Sequence, residues 1–365
     1  MKWKPIIDQL APYKQGMQME DVKKKYGLQQ IVKLASNENP YGFSPKVPDV
    51  FQQQQQFALY PDGHATELRQ VLAEKLHVEE DQLLFGSGTD EIVQMICRAF
   101  LYPNTNTVMA APTFPQYKHH ASIEGATVVE VPTNFEGYHN LQGMLEAIDE
   151  YTNVVWLCSP NNPTGTNIPP DDFDMFLEQC PKDTLIVLDE AYYEYLNEEK
   201  DIHAIIKLKC YNNLIILRTF SKAYGLASLR IGYAITSREI ASKLNVVRAP
   251  FNTTSIAQKA AIAALSDDDF IQQTVSENRR VKTEFMLFLH KIGWRYYDSE
   301  ANFLLVQTPV EGETVFAFLL KHGFIVRPGE GIGVANAIRV TIGKAHDMQK
   351  LQALLLQFNT TLKDG

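Results

Sequence analysis

Three charged side chains in this sequence stand where ordinary solvation would not put them. Asp189 closes the apolar run LIVL, and a carboxylate leaving a buried strand is costly unless a positive charge or hydrogen-bond donors meet it. Magnesium, an arginine or a protonated ring nitrogen would serve, and so would an ordinary salt bridge or helix cap. Lys222 lies in TFSKAYGLASLR, directly after the run NLIILR, in a polar turn between apolar stretches. Most lysines face solvent; desolvation and nearby cations would lower the pKa of this one and free its amine for a Schiff base. Arg230, eight residues on, can neutralise a phosphate through bidentate hydrogen bonds. A fourth group, GSGTDE at 86–91, is a glycine turn feeding a helix start. Its free backbone N–H groups and the helix dipole could hold a phosphate, or Thr89 and Asp90 could simply cap the helix. The turn matches neither the three-glycine dinucleotide fingerprint nor a phosphate loop ending in Gly-Lys-Ser/Thr.

These groups share one address if the chain folds as its hydrophobic pattern implies. TNTVMAAP, ATVVEVP, TNVVWLCSP, DTLIVLDE and NLIILRTFS are short aliphatic runs closed by Pro, Ser, Asp or Asn, with helical stretches such as LQGMLEAIDE and DDFDMFLEQC between several of them. Continuous rather than alternating hydrophobicity suits strands covered on both faces, as in a mainly parallel α/β sheet. LRIGYAIT reads as one more strand, at an edge or of different direction. Ligands of open α/β sheets bind beyond the C-terminal ends of the strands. Gly86–Asp90, Asn161–Gly165, Asp189–Tyr192 and Ser221–Arg230 all fall at such ends.

The first 60 residues, rich in proline, read as irregular, and a helix is expected from Thr66 to Leu76 with leucines four apart. Past Ala249 long helices dominate, followed by the strands ANFLLVQTP, GFIVRP and AIRVTIG and a last helix through MQKLQALLLQF. The expected organisation is an N-terminal arm with a small-domain segment over 1–45, a large domain over 46–249, and a smaller α+β domain over 250–365. A length of 365 residues with 45% hydrophobic content allows two such domains.

A net charge of -9 argues against a general nucleic-acid binder. The start, MKWKPIIDQLAPY, lacks the long apolar core of a secretory signal, and no run of 18 apolar residues occurs, so a cytoplasmic protein is expected. Cys97, Cys158, Cys180 and Cys210 are spaced neither for a zinc knuckle nor for a disulfide module, and the adjacent His119 and His120 are a poor metal-ligand pair.

Taken in order along the chain, the motifs resemble those of a fold-type I pyridoxal-phosphate enzyme, specifically the histidinol-phosphate aminotransferase family. The resemblance runs through LxPY at 10–13, KLASNENPYG at 33–42, YPDG at 60–63, GSGTDE, APTFPQY at 111–117 and SPNNPTG at 159–165. It continues through LDEAYYEY at 188–195, RTFSKAYGLASLRIGY at 218–233 and IRVTIG at 338–343. It implies that Lys222 carries the coenzyme as a Schiff base and shuttles a proton, while Asp189 keeps the pyridine nitrogen protonated. It implies that Asn162 and Tyr192 bond the ring's phenolic oxygen and that Phe114 stacks on the ring. Thr89, Asp90, Ser221 and Arg230 would cradle the phosphate, with Tyr60 reaching it from the other subunit of a homodimer. Arg339 would bind the substrate's anionic end, with Tyr13 and Asn39 lining the same pocket and Arg327 as a further positive group.

The activity implied is ping-pong transfer of the amino group between L-histidinol phosphate and 2-oxoglutarate. An aromatic amino acid aminotransferase or a threonine-phosphate decarboxylase of the same fold would keep the lysine, the aspartate and the phosphate cradle. A nicotinamide-dependent oxidoreductase is disfavoured by the missing fingerprint. A purely structural protein gives no reason for Asp189, Lys222 and Arg230 all to stand at strand ends.

Overall fold

The computed structural model describes residues 1–10, 12, 17–53 and 57–364. The chain opens with α1 (Met19–Tyr26), β1 (Val32–Lys33), α2 (Val47–Gln53) and α3 (Thr66–Leu76). Strands and helices then alternate through β2 (Leu83–Gly86), α4 (Thr89–Phe100), β3 (Asn106–Ala111), α5 (Pro115–Glu124), β4 (Thr127–Pro132) and α6 (Leu141–Glu146). Next come β5 (Thr152–Cys158), α7 (Pro170–Gln179), β6 (Leu185–Asp189), α8 (Ala204–Lys207), β7 (Leu214–Thr219) and β8 (Gly232–Thr236). The remainder is α9 (Arg238–Val247), α10 (Ser255–Leu265), α11 (Asp268–Ile292), β9 (Phe303–Gln307), α12 (Gly312–Lys321), β10 (Phe324–Ile325), β11 (Arg327–Pro328), β12 (Ala337–Thr341) and α13 (Ala345–Asp364).

Seven strands form the central sheet in the order β2-β8-β7-β6-β5-β3-β4. Pairing is parallel from β4 through to β7, and β8 runs antiparallel to both of its neighbours. The strand read from LRIGYAIT therefore has the reversed direction, but it lies inside the sheet rather than at its edge. Gly232 permits this position, because a Cβ there would come within 2.8 Å of the Thr89 backbone nitrogen. Every residue of β5, β6 and β7 except Asn153 is buried, as continuous hydrophobicity demands. One face packs Leu68, Leu72, Phe173 and Phe176 against the sheet; the other packs Ile92, Ile96 and Tyr117 around Trp156 of β5. Each such fully buried side chain is worth about 1.5–3 kcal/mol in transfer free energy.

A second core gathers Phe285, Leu289, Leu304, Val306, Leu319, Ile338 and Leu351 around the three-stranded sheet β11-β12-β9. GFIVRP, expected as one strand, divides: β10 pairs in parallel with β1, and β11 pairs antiparallel with β12. The expected irregular N-terminus also contains α1, which buries Val22 and stops at Gly27 with a left-handed φ of 66°. Past residue 250, α10 lays Ala257, Ala260, Ala261 and Ala264 on the central-sheet core. The long helix α11 then passes from one core to the other: Ile271 and Val275 pack beside Tyr192, and Val281 and Phe285 belong to the second core. Among the described residues, no helix is long and apolar enough to cross a membrane.

Candidate active site

Between the two cores lies a cavity of about 510 Å³, lined where the strand ends meet the second sheet. Strand β2 delivers the turn Gly86-Ser87-Gly88 to the N-terminus of α4, putting Thr89 and Asp90 on the wall. The helix has no side-chain cap, so its first N–H groups and dipole are open to an anion. Arg230 lies over this end, with Nη1 donating to Ser221 Oγ at 3.2 Å and Nη2 at 3.9 Å from an Asp90 carboxylate oxygen. Gly88 is required here: its φ is 78°, and an added Cβ would fall 2.3 Å from Arg230 Nη2. Thr89, Asp90, Ser221 and Arg230 thus converge.

Asp189 ends β6 at 3% exposure. Burial pushes its carboxyl up to about 6, although Tyr117 Oη donates to Oδ2 at 2.5 Å and the Ala191 backbone N–H to Oδ1 at 3.1 Å. A cation beside it would return it to the ionised form. One residue on, Glu190 pairs with Arg218 at 2.8 Å, both side chains buried, and this pair joins the ends of β6 and β7. Lys222, half-buried, follows β7 into the same cavity. Burial and then the charge of Arg339 push its amine down to about 8, and its Nζ sits 5.5 Å from the Tyr192 ring centroid.

Asn162 reaches the cavity from the loop after β5 and accepts from Arg339 Nη1, while Arg339 Nη2 donates to the Ala35 carbonyl at 2.7 Å. Phe114 lines the wall as the first turn of α5 begins. Arg327 also lines it and is the direct cross-strand partner of Arg339. Asn39 is not part of the lining; its side chain donates to the Ala223 carbonyl and accepts from the Tyr41 backbone N–H. Tyr60 stays outside the cavity, 82% exposed and stacked on Phe251 at 4.7 Å. Tyr13 lies outside the described residues.

Two contributors were not singled out from the sequence. Tyr117, the last residue of APTFPQY, follows Phe114 by three positions on α5, stands edge-on to it at 5.4 Å and holds Asp189. Asn37, inside KLASNENPYG, bonds the Tyr192 hydroxyl from a left-handed φ of 57°.

The arrangement is an anion cradle, a buried carboxylate and a depressed-pKa lysine around one cavity, which suits a phosphorylated, basic-ring coenzyme held through an amine. The aminotransferase class I and II family matches residues 29–357, and the chain belongs to that family. It is 54% identical to histidinol-phosphate aminotransferase 2 of Oceanobacillus iheyensis, covering 99% of this chain and 100% of that one. Identity to the histidinol-phosphate aminotransferase of Bacillus subtilis (strain 168) is 48%, over 98% of this chain and 99% of that one. Histidinol-phosphate aminotransferase from Sinorhizobium meliloti, solved in complex with pyridoxal-5'-phosphate, superposes with a TM-score of 0.89 at 27% identity, covering 99% and 98% of the two chains. The coenzyme is pyridoxal 5'-phosphate, and the residues present fit it. The uncapped helix end under Arg230 suits its phosphate, and a carboxylate that burial raises toward its neutral form suits a protonated ring nitrogen.

Proposed function

We propose that this chain transfers the amino group of L-histidinol phosphate to 2-oxoglutarate, giving 3-(imidazol-4-yl)-2-oxopropyl phosphate and L-glutamate, in L-histidine biosynthesis. The observation that carries the substrate assignment is the pair Arg327 and Arg339, directly opposite each other on β11 and β12 and both lining the coenzyme cavity. Like charges placed opposite on a sheet repel, so the pair is best stabilised by an anion, and a phosphate dianion offers most. The relatives at 48–54% identity bear the same assignment in their names.

Bound pyridoxal phosphate supplies the electron sink and the temporary carrier of the amino group. In our reading Lys222 holds the coenzyme at rest and, once freed by substrate, moves the proton between the substrate Cα and the coenzyme C4′. Its pKa near 8 keeps a sizeable neutral fraction at physiological pH. Asp189, held by Tyr117, keeps the ring nitrogen protonated. Asn162 and Tyr192 bond the ring's phenolic oxygen, and Phe114 covers the ring. Thr89, Asp90, Ser221 and Arg230 bind the phosphate. Arg339 takes the phosphate of histidinol phosphate in one half-reaction and the α-carboxylate of glutamate or 2-oxoglutarate in the other.

We further read the active unit as a homodimer with shared sites. Phe57, Leu59, Tyr60, Val246 and Phe251 are all exposed large apolar residues, a pattern suited to burial against a second copy. Tyr60 would then reach the partner's coenzyme phosphate. A cytoplasmic location fits a biosynthetic enzyme of this kind.

Arg327→Gln tests the substrate assignment. Loss of one charge-assisted bond to a dianion should raise KM for histidinol phosphate by about 10–100-fold, with a much smaller rise for glutamate. Steady-state kinetics with each amino donor read this directly, and equal changes for both donors would overturn the role given to Arg327.

A further inference from the structure

Asn37 joins the tyrosine beside the coenzyme to the strand that carries the anion-binding arginine. Its Nδ2 donates to Tyr192 Oη at 2.9 Å, and its Oδ1 accepts from Thr341 Oγ1 at 3.0 Å. Its backbone N–H donates to the same threonine oxygen at 3.0 Å, and its carbonyl accepts from Asn302 Nδ2 at 3.0 Å. In this orientation every donor meets an acceptor: the Thr341 oxygen receives the backbone N–H and gives its own proton to Asn37 Oδ1, while Nδ2 faces Tyr192. Asn37 is 1% exposed with φ at 57°, a left-handed conformation that asparagine tolerates better than most residues.

The rest of the segment touches the same machinery. The Ala35 carbonyl accepts from Arg339, and the Ser36 carbonyl lies 3.5 Å from Lys222 Nζ. Thr341 is two residues beyond Arg339 on β12. We propose that Asn37 is a positioning residue: by donating to the Tyr192 oxygen it leaves the phenolic proton to be given to the coenzyme's ring oxygen. Through Thr341 it makes that bond depend on the placement of β12. The inference rests on the reading of Tyr192 as facing the ring oxygen. A donor that itself receives a hydrogen bond is strengthened. Arg339, Asp189, Cys158 and Lys222 also face Tyr192, so the primary test uses an uncharged substitution.

The readout is the pH midpoint at which the visible absorption band of the holoenzyme shifts. A donor to the ring oxygen stabilises its negative charge and eases loss of the coenzyme's proton, so weaker donation raises the midpoint. Tyr192→Phe should raise it by about one unit or more, and Asn37→Gly, which accepts the left-handed φ without strain, by about half a unit to one. In the double variant the midpoint should match that of Tyr192→Phe alone. Asn37→Asp, close in shape, should accept the phenolic proton outright and raise the midpoint further than glycine does. It stands as the second variant should glycine fail to fold. An unchanged midpoint in both Asn37 variants, or a glycine effect that adds in full to Tyr192→Phe, would overturn the inference. An unchanged midpoint in Tyr192→Phe itself would instead remove the reading of Tyr192, and this inference with it.

Discussion

Lys222→Ala is expected to lower turnover by about 10⁴-fold or more, since on the role proposed for Lys222 one change removes both the covalent tether and the group that moves the proton. The fold should survive, because Lys222 is half-buried and the contacts of its Nζ, 3.5 Å to the Ser36 carbonyl and 5.5 Å to the Tyr192 ring centroid, are long. The coenzyme should still bind through the cradle at α4, Ser221 and Arg230, but reversibly. Borohydride treatment would then fix no coenzyme to the variant, while it fixes one equivalent per chain in the parent. A second signature lies in pH. With its amine near 8 rather than its ordinary 10.5, Lys222 should take up added coenzyme at a rate that climbs with pH and levels off above about 8. A rate still climbing near pH 10 would show a lysine that the cavity does not perturb.

Asp189→Asn should lower kcat by about 10²–10³-fold, the loss typical of one preorganised electrostatic partner. The amide keeps the size of the carboxylate and can still accept from Tyr117, so the defect should fall on the chemistry more than on coenzyme affinity. Stability carries an independent sign. In the coenzyme-free protein, burial raises the Asp189 pKa from its ordinary 3.8 to about 6, so the folded state binds the proton more tightly than the unfolded chain does. Ionising it therefore costs stability as pH rises from about 4 to about 6, and the asparagine variant is spared that cost. The thermal midpoint of the parent, relative to the variant, should fall across this window. A parent that gains on the variant there would mean a carboxylate already paired with a cation.

Which features were legible in the sequence follows from how local their causes are. Asp189 and Lys222 could be read because each sits at or just past the end of an apolar run, and Arg230 because it lies in the same polar turn eight residues after Lys222; strand ends are where a parallel sheet exposes polar groups to one place. The helix over Thr66–Leu76 has the bounds its leucine spacing suggests. GFIVRP could not be divided by inspection, since β10 takes its partner from residues near 32 and β11 from residues near 338. Asn37 was out of reach for the same reason: its partners lie 155 and 304 positions away. Tyr117 looked like core, and much of it is, stacked on Trp156 at 4.5 Å; only the fold brings its hydroxyl to Asp189.

The most direct test of the account is a half-reaction. The pyridoxal form of the purified enzyme is mixed separately with L-histidinol phosphate, L-phenylalanine, L-threonine phosphate and L-glutamate, and the coenzyme's visible band and the products are followed. Histidinol phosphate should convert the enzyme rapidly to the pyridoxamine form, far more efficiently than phenylalanine does, and glutamate should convert it as the second donor. Preference for phenylalanine, or release of carbon dioxide from threonine phosphate, would contradict it.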